Sequence, residues 1–124
     1  MNELTKAEEQ IMQLLWELEK AFVNDVLEHL PEPKPAYNTV STIIRILEKK
    51  GFVAHKAYGK THQYYPVVSK DQYATFRANY LLGNYFGNSV ENLLSFFVKE
   101  EKINLSEMDQ LLKNFNAEKG KKNK

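Results

Sequence analysis

Apolar positions three and four residues apart, Ile11, Leu14, Leu15 and Leu18, have the period of an amphipathic helix over about 6–18. Thr5-Lys6-Ala7-Glu8 ahead of them is a capping-box pattern. Trp16 lies off the centre of the stripe and is expected to pack under a neighbouring segment. Val23, Val26, Leu27 and Leu30 predict a shorter helix over 23–30, closed by Pro31, Pro33 and Pro35. A third stripe, Val40, Ile43, Ile44 and Leu47, predicts a helix over about 38–50, with Gly51 as its stop. Its opposite face carries Asn38, Thr42, Arg45 and Lys49, flanked by Thr39, Ser41 and Ile46, with no acid at its centre. The pattern then turns strand-like: 52–57 and 62–67 read as two strands joined across Tyr58-Gly59-Lys60-Thr61.

Helical periodicity returns after Ser69-Lys70-Asp71-Gln72, a second capping box. Tyr73, Phe76, Tyr80 and Leu81 mark one helix, broken near Gly83, Gly87 and Asn88. Ser89 is expected to cap a helix bearing Val90, Leu93, Leu94, Phe97 and Val98, and Ser106 one bearing Met108, Leu111, Leu112 and Phe115. Three short helices are too few to bury such faces alone, so a helical homodimer is expected, through Tyr73, Phe76, Tyr80, Leu93, Leu94, Phe97, Leu111, Leu112 and Phe115.

The expected fold is mainly α with a small β-hairpin. A winged helix-turn-helix DNA-binding domain occupies 1–69, a helical dimerisation region 70–116, and a disordered basic tail 117–124.

Charge sharpens this picture. The net charge is only +1, but residues 1–35 hold three Lys against eight acids. Residues 36–70 hold six cations against Glu48 alone. A local block of that sign, on the third helix and hairpin, is the footprint of a phosphate-binding surface. Asn38, Thr39, Ser41, Thr42, Arg45, Lys49, Lys56, Lys60 and His62 are therefore the expected DNA-binding residues, double-stranded DNA being the partner. A winged-helix module that binds protein instead of DNA is the alternative, and the positive block argues against it.

Catalytic chemistry has little to rest on. His29, His55 and His62 lack metal-ligand spacing, no phosphate-binding glycine loop or nucleophile elbow occurs, and there is no Cys. No catalytic residue, metal or cofactor is expected. No apolar run approaches the roughly 20 residues of a membrane span, and the acidic start does not read as a signal peptide, so a cytoplasmic protein is expected.

Several segments taken together resemble the penicillinase and methicillin-resistance repressor family (BlaI/MecI-like). They are Leu4-Thr5-Lys6-Ala7-Glu8 with Ile11-Met12 and Leu15-Trp16, Tyr37-Asn38-Thr39-Val40-Ser41-Thr42-Ile43-Ile44, Leu47-Glu48-Lys49-Lys50-Gly51-Phe52-Val53 and Gly59-Lys60-Thr61-His62-Gln63-Tyr64-Tyr65-Pro66. The resemblance covers about 1–116 and is most specific over 37–66. It implies a homodimeric winged-helix repressor on a palindromic operator, with Thr39 and Thr42 matching paired threonines of the recognition helix. Ile46 stands where family members usually carry Arg. The resemblance also implies release through a membrane sensor-protease system, as in antibiotic resistance, by cleavage in the C-terminal helices. Phe96–Phe97 is the matching bond, with Phe96 in place of the family's Asn. The cysteine cluster of copper-responsive relatives is absent.

Overall fold

The computed structural model describes the backbone of residues 1–122 and the side chains of residues 1–117. Its described elements run α1 (Lys6–Leu18), β1 (Ala21–Phe22), α2 (Val23–His29), α3 (Tyr37–Lys49), β2 (Val53–Tyr58), β3 (Thr61–Pro66), α4 (Lys70–Tyr85), α5 (Val90–Lys99) and α6 (Leu105–Lys122). This is the expected mainly helical fold with a hairpin. One element was not anticipated. β1 is a two-residue strand antiparallel to β3, giving the sheet order β1-β3-β2 with Ala21 opposite Tyr64. Two residues are too few to show a period of two, so only the partner strand reveals it.

The chain divides into two units, 1–77 and 78 onward, the boundary falling inside α4. In the first unit, Thr5 accepts the Glu8 N–H at 3.1 Å and Glu8 accepts the Thr5 N–H at 2.9 Å, the reciprocal cap that starts α1. Lys34 Nζ donates to the carbonyls of Leu27, Glu28 and Leu30 at 2.8–3.0 Å, satisfying acceptors that the end of α2 leaves open. Gly51, at φ 85°, ends α3. Its N–H reaches Glu48 O at 3.0 Å and the Phe52 N–H reaches Leu47 O at 2.9 Å, the paired bonds of a Schellman stop. Met12, Leu15, Val26, Val40, Ile44, Leu47 and Phe52 are the fully buried centre where α1, α2, α3 and the hairpin meet.

The first unit runs past the expected division at 69/70, to Arg77, and Tyr73 is part of it. Its side chain is buried in the first unit, its hydroxyl accepts the Leu4 N–H at 2.9 Å, and its ring lies 5.7 Å from Phe52 and 6.0 Å from Trp16. Phe76 packs beside it at 5.9 Å. An aromatic stripe identifies a buried face but not which unit buries it. Trp16 packs as expected, with Nε1 donating to Val68 O at 2.9 Å.

In the second unit, Ser89 caps α5, its hydroxyl accepting the Asn92 N–H at 3.0 Å. The cap of α6 is Asn104 and not Ser106: Asn104 accepts the Glu107 N–H at 2.7 Å and donates to the Glu107 carboxylate at 2.9 Å. That reciprocal pair starts the helix two residues earlier than a serine at 106 would. Of the tail expected to be disordered, 117–122 continue α6, and Asn123 and Lys124 lie outside the described residues.

Candidate nucleic-acid interface

The proline-rich loop delivers the chain to α3 at Ala36, an N-cap with no side-chain hydrogen bond, and the first turn holds no acid. The positive end of the helix dipole is left unopposed there. The inward stripe of α3 is Val40, Ser41, Ile44 and Leu47, all buried. At about 100° per residue, this leaves Asn38, Thr39, Thr42, Arg45, Ile46 and Lys49 directed outward, and all six are exposed.

Ser41 is the residue of the expected set that the structure removes from this face. It is 8% exposed, because it follows Val40 by one position and precedes Ile44 by three, on the flank of the buried stripe. It lines a polar cleft of about 130 Å³ between α3 and the hairpin, together with Tyr37, Arg45, Lys60, His62 and Tyr64. Arg45 lines this cleft opposite Tyr64. Burial pushes the Tyr64 hydroxyl above its ordinary pKa, with Glu48 adding to the effect and Arg45 opposing it. Arg45 thus lies exposed between helix and wing, where Lys60 of the hairpin loop is also exposed.

The hairpin register separates residues that the sequence places side by side. Pairing of His55 with Tyr64 and Ala57 with His62 puts those four on the face that contains buried Val53. Lys56 and Tyr58 project from the other face, where Lys56 Nζ sits 5.3 Å from the Tyr58 ring centre. His62 stacks on His55, with ring centres 4.1 Å apart and planes within 6°, and His55 pairs with Glu48. His62 is therefore half-buried against protein, not extended beside Lys56.

The positive block is also thinner than its count. Lys50 is engaged with the carboxylate of Glu8, leaving Arg45, Lys49, Lys56 and Lys60 as the cations of the helix and wing. Two features had weak signals in the sequence. Ile46 falls outside the apolar stripe of its helix, and Tyr37 precedes that stripe; both are exposed, at 40% and 46%.

The described residues contain no cluster of three or more His, Cys, Asp or Glu able to hold a metal. Among them no helix is long and apolar enough to cross a membrane. What the arrangement offers is a polar helix face flanked by a basic hairpin, the side-chain types that meet base edges and phosphates in nucleic-acid interfaces.

Comparison with known proteins agrees. The penicillinase repressor family profile matches residues 4–117. The methicillin resistance regulatory protein MecI of Staphylococcus aureus (strain N315) is 26% identical over 110 residues, spanning 88% of this chain and 89% of that protein. The penicillinase repressor of Bacillus licheniformis is 20% identical over 121 residues, spanning 97% and 94%. The solution structure of the DNA-binding domain of the repressor BlaI superposes with a TM-score of 0.50 at 25% identity, covering 57% of this chain and 88% of that one. The winged-helix fold, the helix face and these matches lead to one conclusion: the chain belongs to the penicillinase repressor family, whose members are DNA-binding repressors and not enzymes.

Proposed function

We propose that this protein represses transcription as a homodimer bound to a dyad operator. The observation that carries the reading is the outward face of α3, with Asn38, Thr39, Thr42, Arg45 and Lys49 exposed beside Lys60 of the wing. In this reading α3 enters the major groove, its first turns meet base edges, and Lys49, Lys56 and Lys60 meet phosphates. A two-fold dimer would place two such helices about 34–36 Å apart, one turn of duplex.

The second unit supports dimerisation through its uncovered apolar surface. No residue of α5 is buried, and Tyr85, Leu105, Leu111, Leu112 and Phe115 are each more than half exposed. Leu94, Val98, Leu105 and Met108 line an apolar groove of about 540 Å³ between α5 and α6. A surface of this kind on a folded unit is expected to be covered, and a second copy is the occupant with a matching face. Tyr80, Leu93, Leu94 and Phe97 remain in the proposed interface; Tyr73 and Phe76 do not.

Release by proteolysis in α5, at Phe96–Phe97, belongs to the same proposal. Both rings are exposed, at 45% and 37%, and Phe96 packs edge-on against Phe86 at 5.4 Å. A bond inside a helix must unwind before a protease can hold it in extended form, so release would begin with local opening of α5.

Mobility shifts with a random duplex pool test the core reading. Selection of a dyad sequence, with affinity falling steeply as salt rises, is the expected result. A chain that shifts no duplex at low salt would instead be a protein-interaction module with this fold.

A further inference from the structure

The middle of the outward face of α3 is occupied by an aliphatic side chain. With Val40, Ser41, Ile44 and Leu47 turned inward, the residues pointing most directly away from the core are Thr42, Ile46 and Lys49. Thr39, Thr42 and Ile46 follow one another at i, i+3 and i+7, so they form a continuous row. Each carries a methyl group on a branched Cβ, and the row therefore alternates hydroxyl and methyl chemistry, ending in a purely apolar side chain. Local helix stability does not ask for isoleucine here, since Lys, Arg, Gln or Leu would favour the helix more. Nor does core packing, because Ile46 is 40% exposed.

We propose that Ile46 is a specificity-determining residue that reads thymine through its 5-methyl group. The proposal rests on the reading that α3 enters the major groove. Thymine is the one base whose major-groove edge carries a methyl, next to the O4 acceptor. Ile46 supplies an apolar contact for that methyl, and Thr42, one turn away, supplies a hydroxyl that can donate to O4. The branched side chain is stiff at χ1, so the contact surface is held in place with little rotamer entropy to lose. An apolar side chain in this position also disfavours cytosine, whose amino group would lose a hydrogen-bonding partner against it.

The experiment uses the full chain and the duplex it selects from a random pool. Each thymine of that duplex is replaced singly by deoxyuridine, which removes only the methyl. Replacement of at least one thymine per half-site is expected to weaken the native protein about fourfold per methyl. Ile46→Ala should bind the thymine and uracil duplexes equally, and Ile46→Val, which keeps a branched methyl, should retain the discrimination. A native protein that binds the selected duplex equally well with uracil at every position overturns the proposal and leaves operator binding intact. Full discrimination persisting in Ile46→Ala overturns it as well. Failure to select any duplex removes the major-groove reading itself, and Ile46 recognition with it.

Discussion

Glu8 joins the first turn of α1 to Lys50 at the end of α3: Lys50 Nζ lies 2.8 and 2.9 Å from the two oxygens of the Glu8 carboxylate. The same carboxylate accepts the Thr5 N–H, so one buried group caps α1 and ties it to the residue that ends α3. The Glu8 side chain is 7% exposed, against 29% for Lys50. Removing the acid leaves a half-buried cation and an uncapped helix. Glu8→Ala is expected to lower the unfolding free energy by about 2–3 kcal/mol, measured by urea titration, with no change in the selected operator.

The same pair makes stability depend on acid pH. Burial alone would raise the Glu8 pKa, but the Lys50 and Thr5 hydrogen bonds and the Lys50 charge outweigh it and hold the carboxyl below its ordinary 4.5. A carboxylate with a depressed folded pKa stabilises fully above its unfolded value, and that contribution disappears as pH falls through the folded one. The urea midpoint should therefore drop below about pH 4.5, and by less in Glu8→Gln. Equal drops in both proteins would show that other carboxylates dominate.

Tyr73→Phe tests which unit owns the start of α4. Loss of the hydroxyl strands the buried Leu4 N–H and should cost about 1–2 kcal/mol of stability. Sedimentation equilibrium should return an unaltered dimer constant. A changed dimer constant with unchanged stability would restore Tyr73 to the dimer interface.

Arg45 and Lys60 should separate base preference from general attraction. Lys60→Ala is expected to weaken binding to all duplexes alike and to flatten the salt dependence by about one unit of slope per wing. Arg45→Ala should change the selected sequence. A selection from Arg45→Ala identical to the native one would place Arg45 with Tyr64 as a structural residue only.

Charge placed in the second unit should break the dimer without unfolding the first. Phe115 is 71% exposed and Leu111 57%, so the double variant Leu111→Asp, Phe115→Asp disturbs no buried core. Light scattering is expected to give a monomer, and operator affinity should fall by at least about 100-fold through loss of bivalency. A dimer that persists would move the interface to another face.

Periodicity and capping chemistry alone determined most of the elements. α1 is bounded at Thr5 by its reciprocal cap, α3 stops at Gly51, and the hairpin turns at Gly59 with φ 64°, because these signals act within a few residues of chain. The charge block pointed to the helix and hairpin for the same local reason. Helical periodicity also set Asn38, Thr42, Arg45 and Lys49 on the outer face of α3. Only the tertiary structure decided which of the remaining candidates are taken up by other parts of the protein. Ser41 is lost to the core side of α3, His62 to a stack on His55, and Lys50 to Glu8, forty-two residues away in sequence. It also decided that Tyr73 is buried in the first unit and that Ala21–Phe22 forms a strand. Helix and turn signals depend on neighbouring residues, whereas burial, register and ion pairing depend on partners that only folding brings within reach.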